Sequence, residues 1–340
     1  MYFKDDQLRE NPRKFGLRAF DRQHHIYDCD QPEMIPLLNE LRSLLDSYPE
    51  RYAIGEPLGQ SYMPDRERVI QYSGTDKLHA VFNFEFAWSQ FNPAQYVQHI
   101  LDWEALYAER GLWPNYVLGN HDAQRTGTRH TKNEDDARLK VLMALLLTLR
   151  GTPYLYYGEE IGMRDISLKR SEIMDPPGKN YWPFNKGSDG CRSPMQWDDS
   201  THAGFSSAKP WLQVHPNYQT RNVKAQEADP NSMLNFTREL IKLRREKPAL
   251  HRGGFTLLTE QPKHALAYLR QTPEQTILVV LNFVNRPIPV GAKDTLSGTG
   301  ALPIQDTKWN ILFSTSRETA PENISSLKLA PYEVLILEST

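Results

Sequence analysis

The feature that most constrains the fold is a change in the pattern of apolar residues near residue 250. Before this point, segments with strand character alternate with segments whose apolar residues recur at helical spacing. The strand-like segments are 52–55, 78–86, 116–119 and 153–157, and the helical segments are 32–48, 93–110, 133–150 and 232–246. Strands that alternate with helices of this length indicate parallel β/α units, whose active groups lie in loops at the carboxyl ends of the strands.

After residue 250 the pattern consists of short, apolar, strand-like segments separated by Pro, Gly, Asn and Asp turns. The clearest are ALAYLR at 265–270, TILVVLNF at 276–283 and YEVLILE at 332–338. They predict an antiparallel sheet or sandwich. Because 340 residues exceed what one core usually serves, we expect two domains, residues 1–250 and an all-β domain at 251–340. The stretch 162–231 is too long for a plain connection, so it is either functional or carries small structure of its own.

The charge balance excludes several classes of partner. Lys and Arg number 40 and Asp and Glu 42, a net charge of -2, so no field favours nucleic acid or an acidic membrane surface. The longest apolar run, 141–149, is shorter than the roughly 20 residues that a membrane span needs. Cys29 and Cys191 lack metal-ligand spacing and are expected to be reduced, structural thiols, which favours a cytoplasmic location. A small neutral substrate fits these properties, with no nucleic acid and no membrane.

Polar side chains follow two of the predicted strands. Glu56 follows the strand at 52–55, and Asn120, His121 and Asp122 follow the strand at 116–119, with Arg125 three residues later. The carboxyl ends of parallel strands converge, and two convergent carboxylates suit the cleavage of an acetal bond. Spacing by itself leaves plainer interpretations open. A Glu at a strand end is often a solvated carboxylate, and His121 could be a structural histidine.

Four segments together resemble the α-amylase superfamily of glycoside hydrolases, in its α-glucosidase and oligo-1,6-glucosidase branch. They are YAIGE at 52–56, VLGNHDAQR at 117–125, GTPYLYYGEEIGM at 151–163 and CRSPMQW at 191–197. The resemblance implies an α/β fold: a partial (β/α)8 TIM barrel, its second half, followed by an antiparallel β-sandwich domain. The chain resembles the C-terminal part of these enzymes, without the N-terminal half-barrel.

The resemblance also implies roles for the polar residues. Glu56 resembles the general acid/base, and Asp122 resembles the second catalytic acid, which binds sugar hydroxyls and favours the distorted ring of the transition state. His121 resembles a histidine that hydrogen-bonds the same ring. Arg125 resembles an arginine that holds the terminal glucose, and Asn120 completes the implied substrate-binding set.

The aspartate nucleophile of a retaining enzyme is not found in the expected arrangement, Gly-Phe-Arg-x-Asp. FGLRAFD at 15–21 is similar, but Leu17 replaces Phe and Asp21 comes one residue late, so we interpret Asp21 as a loop residue. The resemblance implies no cofactor, and any calcium site would lie in the missing N-terminal part. His24 and His25 lack a carboxylate at ligand spacing, so no metal site is expected there.

Two classes of function remain. The favoured one is a retaining, exo-acting α-glucosidase that releases glucose from the non-reducing end of short α-glucosides or oligosaccharides, here truncated and inactive by itself. The alternative is a non-catalytic, α-amylase-like carbohydrate-binding or interaction protein. The sequence leaves open α-1,4 against α-1,6 linkages, and hydrolysis against glucosyl transfer.

Overall fold

The computed structural model describes residues 4–16, 19–57, 65–132, 134–259, 262–290, 308–322, 324 and 327–340. Its contacts divide the chain into two units. The first unit comprises Met1–Glu85 and Leu101–Asn115, and the second comprises Phe86–Ile100 and Tyr116–Thr340. These divisions fall elsewhere than residue 250, and the predicted domain boundary there stays a prediction.

Helices and strands alternate in the first 250 residues, as the pattern predicts. The helices are α1 (Met34–Asp46), α2 (Arg66–Ile70), α3 (Glu85–Trp88), α4 (Pro93–Glu109), α5 (Thr126–His130), α6 (Ala137–Thr148), α7 (Pro176–Tyr181), α8 (Val223–Ala228), α9 (Met233–Glu246) and α10 (Pro248–Arg252). The strands are β1 (Ile54–Gly55), β2 (Ala80–Val81), β3 (Asn115–Val117), β4 (Thr152–Tyr154), β5 (Gly254–Leu257), β6 (Ala265–Thr272), β7 (Gln275–Asn282), β8 (Ile288–Pro289), β9 (Trp309–Ser314), β10 (Lys328–Leu329) and β11 (Val334–Ser339).

The first unit builds its core from helices and a short parallel ladder. β1 pairs in parallel with β2, with Ile54 opposite Ala80 and Gly55 opposite Val81. α1 buries Met34 and Leu38, which lie on one face because they are four residues apart. The buried side chains of this core are Met34, Leu38, Val69, Ile70, Tyr72, Val81, Trp103 and Tyr107. Parallel pairing at the predicted strands confirms the β/α interpretation of this region.

The predicted strand at 78–86 is wrong in its second half. Only Ala80–Val81 is strand, and Glu85–Trp88 is helix. The Asn83 side chain accepts a hydrogen bond from the backbone N–H of Glu85 at 3.1 Å, as a residue that caps a helix start does. The Glu85 side chain accepts from Trp103 Nε1 at 2.8 Å. These side-chain bonds stabilise a helical turn in a segment whose alternating Phe residues imitate a strand.

The predicted antiparallel sheet is confirmed. Five strands lie in the order β5–β6–β7–β11–β9, and each pair of neighbours is antiparallel. Thr272 pairs with Gln275, so β6 and β7 form a hairpin across a two-residue turn. β8 and β10 form a separate antiparallel ladder. The strands of this region therefore contact each other directly, without intervening helices.

Both faces of the five-stranded sheet are buried, and the side chains alternate between two cores. Leu266, Tyr268, Val279 and Leu281 belong to the cluster that also contains residues of α6 and α9. Ala267, Leu269, Leu278 and Val280 belong to the cluster with Ile288 and Leu329 of the small ladder. Because successive strand residues point to opposite faces, two covered faces require nearly continuous apolar sequence. This explains runs such as ILVVL.

The stretch 162–231 carries short elements besides α7 and α8. The 3₁₀ turns are Arg170–Glu172, Asp189–Arg192, Thr201–Gly204 and Pro216–Gln219. Near the other end of the chain, Asp21 lies in the 3₁₀ turn Phe20–Arg22, and the described residues before it, 4–16 and 19, form no strand; Leu17 lies outside the described residues. Among the helices that the structure describes, none is long and apolar enough to cross a membrane.

Candidate functional site

The loop after β3 is shaped by Asn120. Its side-chain oxygen accepts hydrogen bonds from the backbone N–H groups of Asp122 at 2.9 Å and Ala123 at 2.8 Å. Asn side chains favour such turns because the side-chain carbonyl imitates a backbone acceptor. The turn reverses the chain directly after the buried residues of β3. In this structure Asn120 therefore positions its neighbours, and direct contact with a sugar stays a prediction.

The turn presents His121 and Asp122 with their side chains open to solvent. The His121 side chain is 53% exposed and that of Asp122 is 44% exposed, and Nε2 and Oδ2 are 3.6 Å apart. A carboxylate and an imidazole that lie side by side on an open loop can both hydrogen-bond hydroxyl groups of one ligand. The structure thus brings these two predicted residues together.

Arg192 is a site residue that the sequence interpretation missed. Its Nη2 donates to Asp122 Oδ1 at 2.6 Å, and its Nε donates to the backbone oxygen of His121 at 2.8 Å. Partial burial lowers the pKa of Arg192, but the hydrogen bond and charge of Asp122 outweigh this and leave the pKa above its ordinary value. Arg192 therefore holds the Asp122 carboxylate in one orientation.

Buried polar contacts of the long loop, 162–231, position Arg192. Asp189 accepts hydrogen bonds from the backbone N–H groups of Met174 at 2.6 Å and Asp175 at 2.8 Å. The Cys191 thiol donates to the backbone oxygens of Ser188 at 3.0 Å and His121 at 3.2 Å. Burial raises the pKa of Cys191 to about 12, which keeps the thiol protonated and able to donate. Cys191 is a free, buried structural thiol, as predicted.

Arg125 lies beneath the surface and not on it. It is 1% exposed, and its Nη1 donates to the backbone oxygen of Tyr157 at 2.7 Å. Its guanidinium carbon lies 5.1 Å from the ring centroid of Tyr156 and 4.7 Å from that of Tyr157, within the range of cation–π contact. Its backbone N–H donates to Asp165 Oδ1 at 2.9 Å. In this structure Arg125 contacts protein groups, and its predicted contact with a terminal glucose stays a prediction.

Glu159 is a buried structural acid. It accepts hydrogen bonds from Thr126 Oγ1 at 2.7 Å and from the backbone N–H of Tyr156 at 3.0 Å, so it joins the start of α5 to the end of β4. Burial raises its pKa. A methyl group on Gly119 would lie 2.7 Å from Glu159 Oε1, and this close approach requires a glycine directly before the site loop.

Glu56 belongs to the first unit and follows β1 directly. It is exposed, as a residue at the carboxyl end of a strand that meets ligand must be. The strand before it is fixed by pairing with β2 and by the hydrogen bond from the Ala53 backbone N–H to His79 Nδ1, at 3.1 Å. The position of Glu56 at a strand end agrees with the sequence interpretation, and its catalytic role stays a prediction.

In the same unit, the expectation that His25 has no carboxylate nearby is wrong. His25 does have a carboxylate within reach, because Asp28 three residues later places Oδ1 at 2.9 Å from His25 Nδ1. The segment turns back on itself, with Asp30 in the left-handed region at φ +53. Sequence spacing missed this pair because it depends on the turn.

The helix that follows the loop with His121 and Asp122 ends in a histidine whose pKa is changed by burial. His130 at the end of α5 is buried, and its Nε2 accepts from Arg129 Nη1 at 3.1 Å. Burial, and then the charges of Arg129 and Arg138, lower the pKa of His130 to about 3. The folded protein therefore keeps this ring neutral under conditions in which the unfolded chain protonates it.

We expect this difference to appear as a pH dependence of unfolding. Below pH 6.5 the unfolded chain binds a proton at His130 that the folded chain does not bind, so the free energy of unfolding falls with pH. The loss amounts to about 2 kcal/mol at pH 5. His130→Asn should flatten the dependence between pH 7 and 5 in denaturant titrations. The exposed His251, changed to Asn, should leave it as in the parent, and equal slopes for both variants would contradict the assignment.

Comparison with known proteins places these features in one family. The family model described as alpha amylase, catalytic domain, matches residues 3–253. A probable alpha-glucosidase of Rhizobium meliloti (strain 1021) is 32% identical over an alignment of 321 positions, which covers 88% of this chain and 57% of that protein. An oligo-1,6-glucosidase of Parageobacillus thermoglucosidasius is 28% identical over an alignment of 345 positions, gaps included, which covers 91% of this chain and 59% of that protein.

Solved structures agree with the fold class. The alpha-glucosyl transfer enzyme XgtA matches with a TM-score of 0.80 at 28% identity, covering 99% of this chain and 62% of that one. The trehalulose synthase MutB of Pseudomonas mesoacidophila MX-45 matches with a TM-score of 0.75 at 27% identity, covering 91% of this chain and 59% of that one. The chain thus spans about 60% of the length of these proteins. The matches confirm the predicted α/β fold, a partial (β/α)8 barrel followed by an antiparallel β region.

Proposed function

Because the chain belongs to the alpha amylase catalytic domain family, we propose that it is part of a retaining, exo-acting α-glucosidase. In this proposal the substrate is a short α-glucoside or oligosaccharide, and glucose is released from its non-reducing end. The names of relatives, among them a probable alpha-glucosidase and an oligo-1,6-glucosidase, support this substrate class. We further propose a cytoplasmic location, on the basis of the few, free cysteines.

The observation that carries the proposal is the arrangement of His121, Asp122 and Arg192 after β3. Asp122 is open to ligand and fixed by a charged hydrogen bond from Arg192 at 2.6 Å. A fixed, ionised carboxylate can bind sugar hydroxyls and stabilise the positive charge that develops on the ring in an oxocarbenium-like transition state. His121, whose ring is also exposed, supplies a second hydrogen-bonding group on the same loop.

Glu56 is the proposed general acid/base. In the first step its carboxyl group would protonate the glycosidic oxygen as the bond to the departing sugar breaks, while an aspartate attacks the anomeric carbon. In the second step the Glu56 carboxylate would deprotonate the water that releases glucose from the enzyme. The proposal rests on the family match and on the place of Glu56 directly after a parallel strand.

The nucleophile is the part of this mechanism for which we identify no residue in the family's arrangement. Asp21 lies in a 3₁₀ turn, and no strand precedes it among the residues that the structure describes. We therefore propose that the 340-residue chain by itself does not turn over glucosides, since no covalent glycosyl-enzyme can form without an attacking carboxylate.

The test joins this chain to the N-terminal part of the Rhizobium meliloti relative and assays chain and chimera on nitrophenyl α-glucoside and maltose. We expect the chain to match a blank without protein and the chimera to release glucose as its α-anomer. Chromatography of the products then separates hydrolysis from glucosyl transfer. Turnover by the unmodified chain would overturn the inactivity proposal and move the search for a nucleophile to acids within the chain, Asp21 first.

A non-catalytic, carbohydrate-binding protein is the alternative, and the unassigned nucleophile favours it. Such a protein would use His121, Asp122 and Arg192 to bind sugar without cleaving it. A folded chimera that binds maltose in calorimetry but releases no glucose would support this alternative and contradict the enzyme proposal.

A further inference from the structure

Three metal-binding side chains meet in the first unit, apart from the residues proposed for sugar chemistry. They are His25, Asp28 and Cys29, and one ligand atom from each lies within 4.8 Å of the other two. His25 and Cys29 are buried, at 4% and 7% exposure, whereas the Asp28 side chain is 22% exposed. The cluster therefore has buried ligands and one side open to solvent.

The two ring nitrogens of His25 have different partners: Nε2 faces a backbone carbonyl, and Nδ1 faces the Asp28 carboxylate. Nε2 lies 2.8 Å from the backbone oxygen of Phe20, which can only accept, so Nε2 carries the proton. In a neutral ring, Nδ1 then presents a lone pair. Nδ1 lies 2.9 Å and 3.2 Å from the two Asp28 carboxylate oxygens, which also present lone pairs. Either a proton or a metal ion between Nδ1 and the carboxylate would allow this close approach.

The surroundings favour a metal ion because they add negative charge and sulfur. Cys29 adds a buried sulfur atom to the cluster, and Asp30 follows it directly in the chain with a second carboxylate. Tyr72 donates to Asp30 Oδ1 at 2.5 Å, and Arg68 lies 3.7 Å from Asp30 Oδ2, so Asp30 has partners of its own. The Asp28 carboxylate lies against His25.

We propose that His25 Nδ1, an Asp28 oxygen and Cys29 Sγ bind one zinc-like divalent cation. Nitrogen, carboxylate oxygen and thiolate are the ligands that zinc prefers, and tetrahedral bond lengths put such ligand atoms roughly 3.3–3.6 Å apart. Small side-chain rotations bring the observed atoms to that spacing. The Phe20 carbonyl would fix the ring, as the second partner of a metal-bound histidine usually does. Binding releases the Cys29 proton, and water completes the coordination from the open side.

The experiment titrates the purified 340-residue chain with Co²⁺ and Zn²⁺. Cobalt should produce a near-ultraviolet thiolate-to-metal absorption band that saturates at one ion per chain and disappears when zinc is added. The band should be absent in His25→Ala and Cys29→Ser, and Asp28→Asn should weaken cobalt binding about 10- to 100-fold. Circular dichroism of each variant establishes that it retains the parent's secondary structure.

Matched controls use the neighbouring histidine and the other cysteine. His24→Ala and Cys191→Ser should keep the band, because neither residue belongs to the cluster. Zinc should also slow alkylation of Cys29 by iodoacetamide about tenfold or more, because a bound thiolate is not free to react, and should leave Cys191 unaffected. The alkylation rate of Cys29 is measured in the parent chain, so it tests the proposal even where a variant folds poorly. Absence of the band in the parent chain, or its persistence in Cys29→Ser, would overturn the proposal and leave a protonated His25–Asp28 pair.

Discussion

Glu56→Gln, made in the active chimera, is expected to lower turnover of maltose about 100- to 10,000-fold, the usual contribution of a positioned general acid. Maltose has a poor leaving group that must be protonated as it departs. Nitrophenyl glucoside has a good one, so a burst of nitrophenol from the first step should persist. Pre-steady-state kinetics on both substrates makes the comparison.

The control for Glu56→Gln is Glu40→Gln, a change of the same type at an exposed position of α1 in the same unit. It should leave turnover of both substrates unchanged. Equal losses on maltose and on nitrophenyl glucoside for Glu56→Gln would remove the acid/base assignment, because a group that acts only on the leaving oxygen must distinguish them.

Asp122→Asn should behave differently and lower turnover of both substrates alike, by about 100- to 1,000-fold, because stabilisation of ring charge does not depend on the leaving group. The variant also removes the charge that pairs with Arg192. Asp199→Asn, at an exposed position of the long loop that carries Arg192, is the matched control. A loss confined to maltose would assign Asp122 to leaving-group chemistry instead.

Arg244→Met is expected to lower the free energy of unfolding by about 3 kcal/mol or more, since several buried carbonyl groups lose their donor. Arg244 is 8% exposed, and its Nη1 donates to the backbone oxygens of Leu147 and Leu149, each at 2.8 Å. Its Nη2 donates to the backbone oxygen of Gly151. These acceptors lie between the end of α6 and β4, where a helix leaves carbonyl groups without partners.

The neighbouring arginine provides the control. Arg245 lies on the exposed side of α9, and Arg245→Met should change the free energy of unfolding by less than about 0.5 kcal/mol. Denaturant unfolding of both variants at pH 7 measures the difference. Similar midpoints would mean that water replaces Arg244 at these carbonyls.

The local pattern of apolar residues was enough to predict the regular helices and strands. The helix at 93–110 and the strands at 265–270 and 276–283 could be predicted because helical spacing and short apolar runs bounded by turns are visible in neighbouring residues. The segment at 78–86 could not be predicted in this way. Its alternating Phe residues resemble a strand, whereas the Asn83 side chain caps the start of a helix. Here a specific hydrogen bond outweighed a weak periodic preference.

The sequence by itself determined which strand ends carry acids, and so placed Glu56 directly after β1 and Asp122 in the loop that follows β3. Only the tertiary structure decided what those groups contact. Arg192 reaches Asp122 from 70 positions further along the chain, through a loop held by buried hydrogen bonds of Asp189. Arg125, close to Asp122 in sequence, is instead buried against Tyr156 and Tyr157. The reason is physical: periodicity is a property of adjacent residues, whereas the partner of a charge depends on which distant segments fold against it.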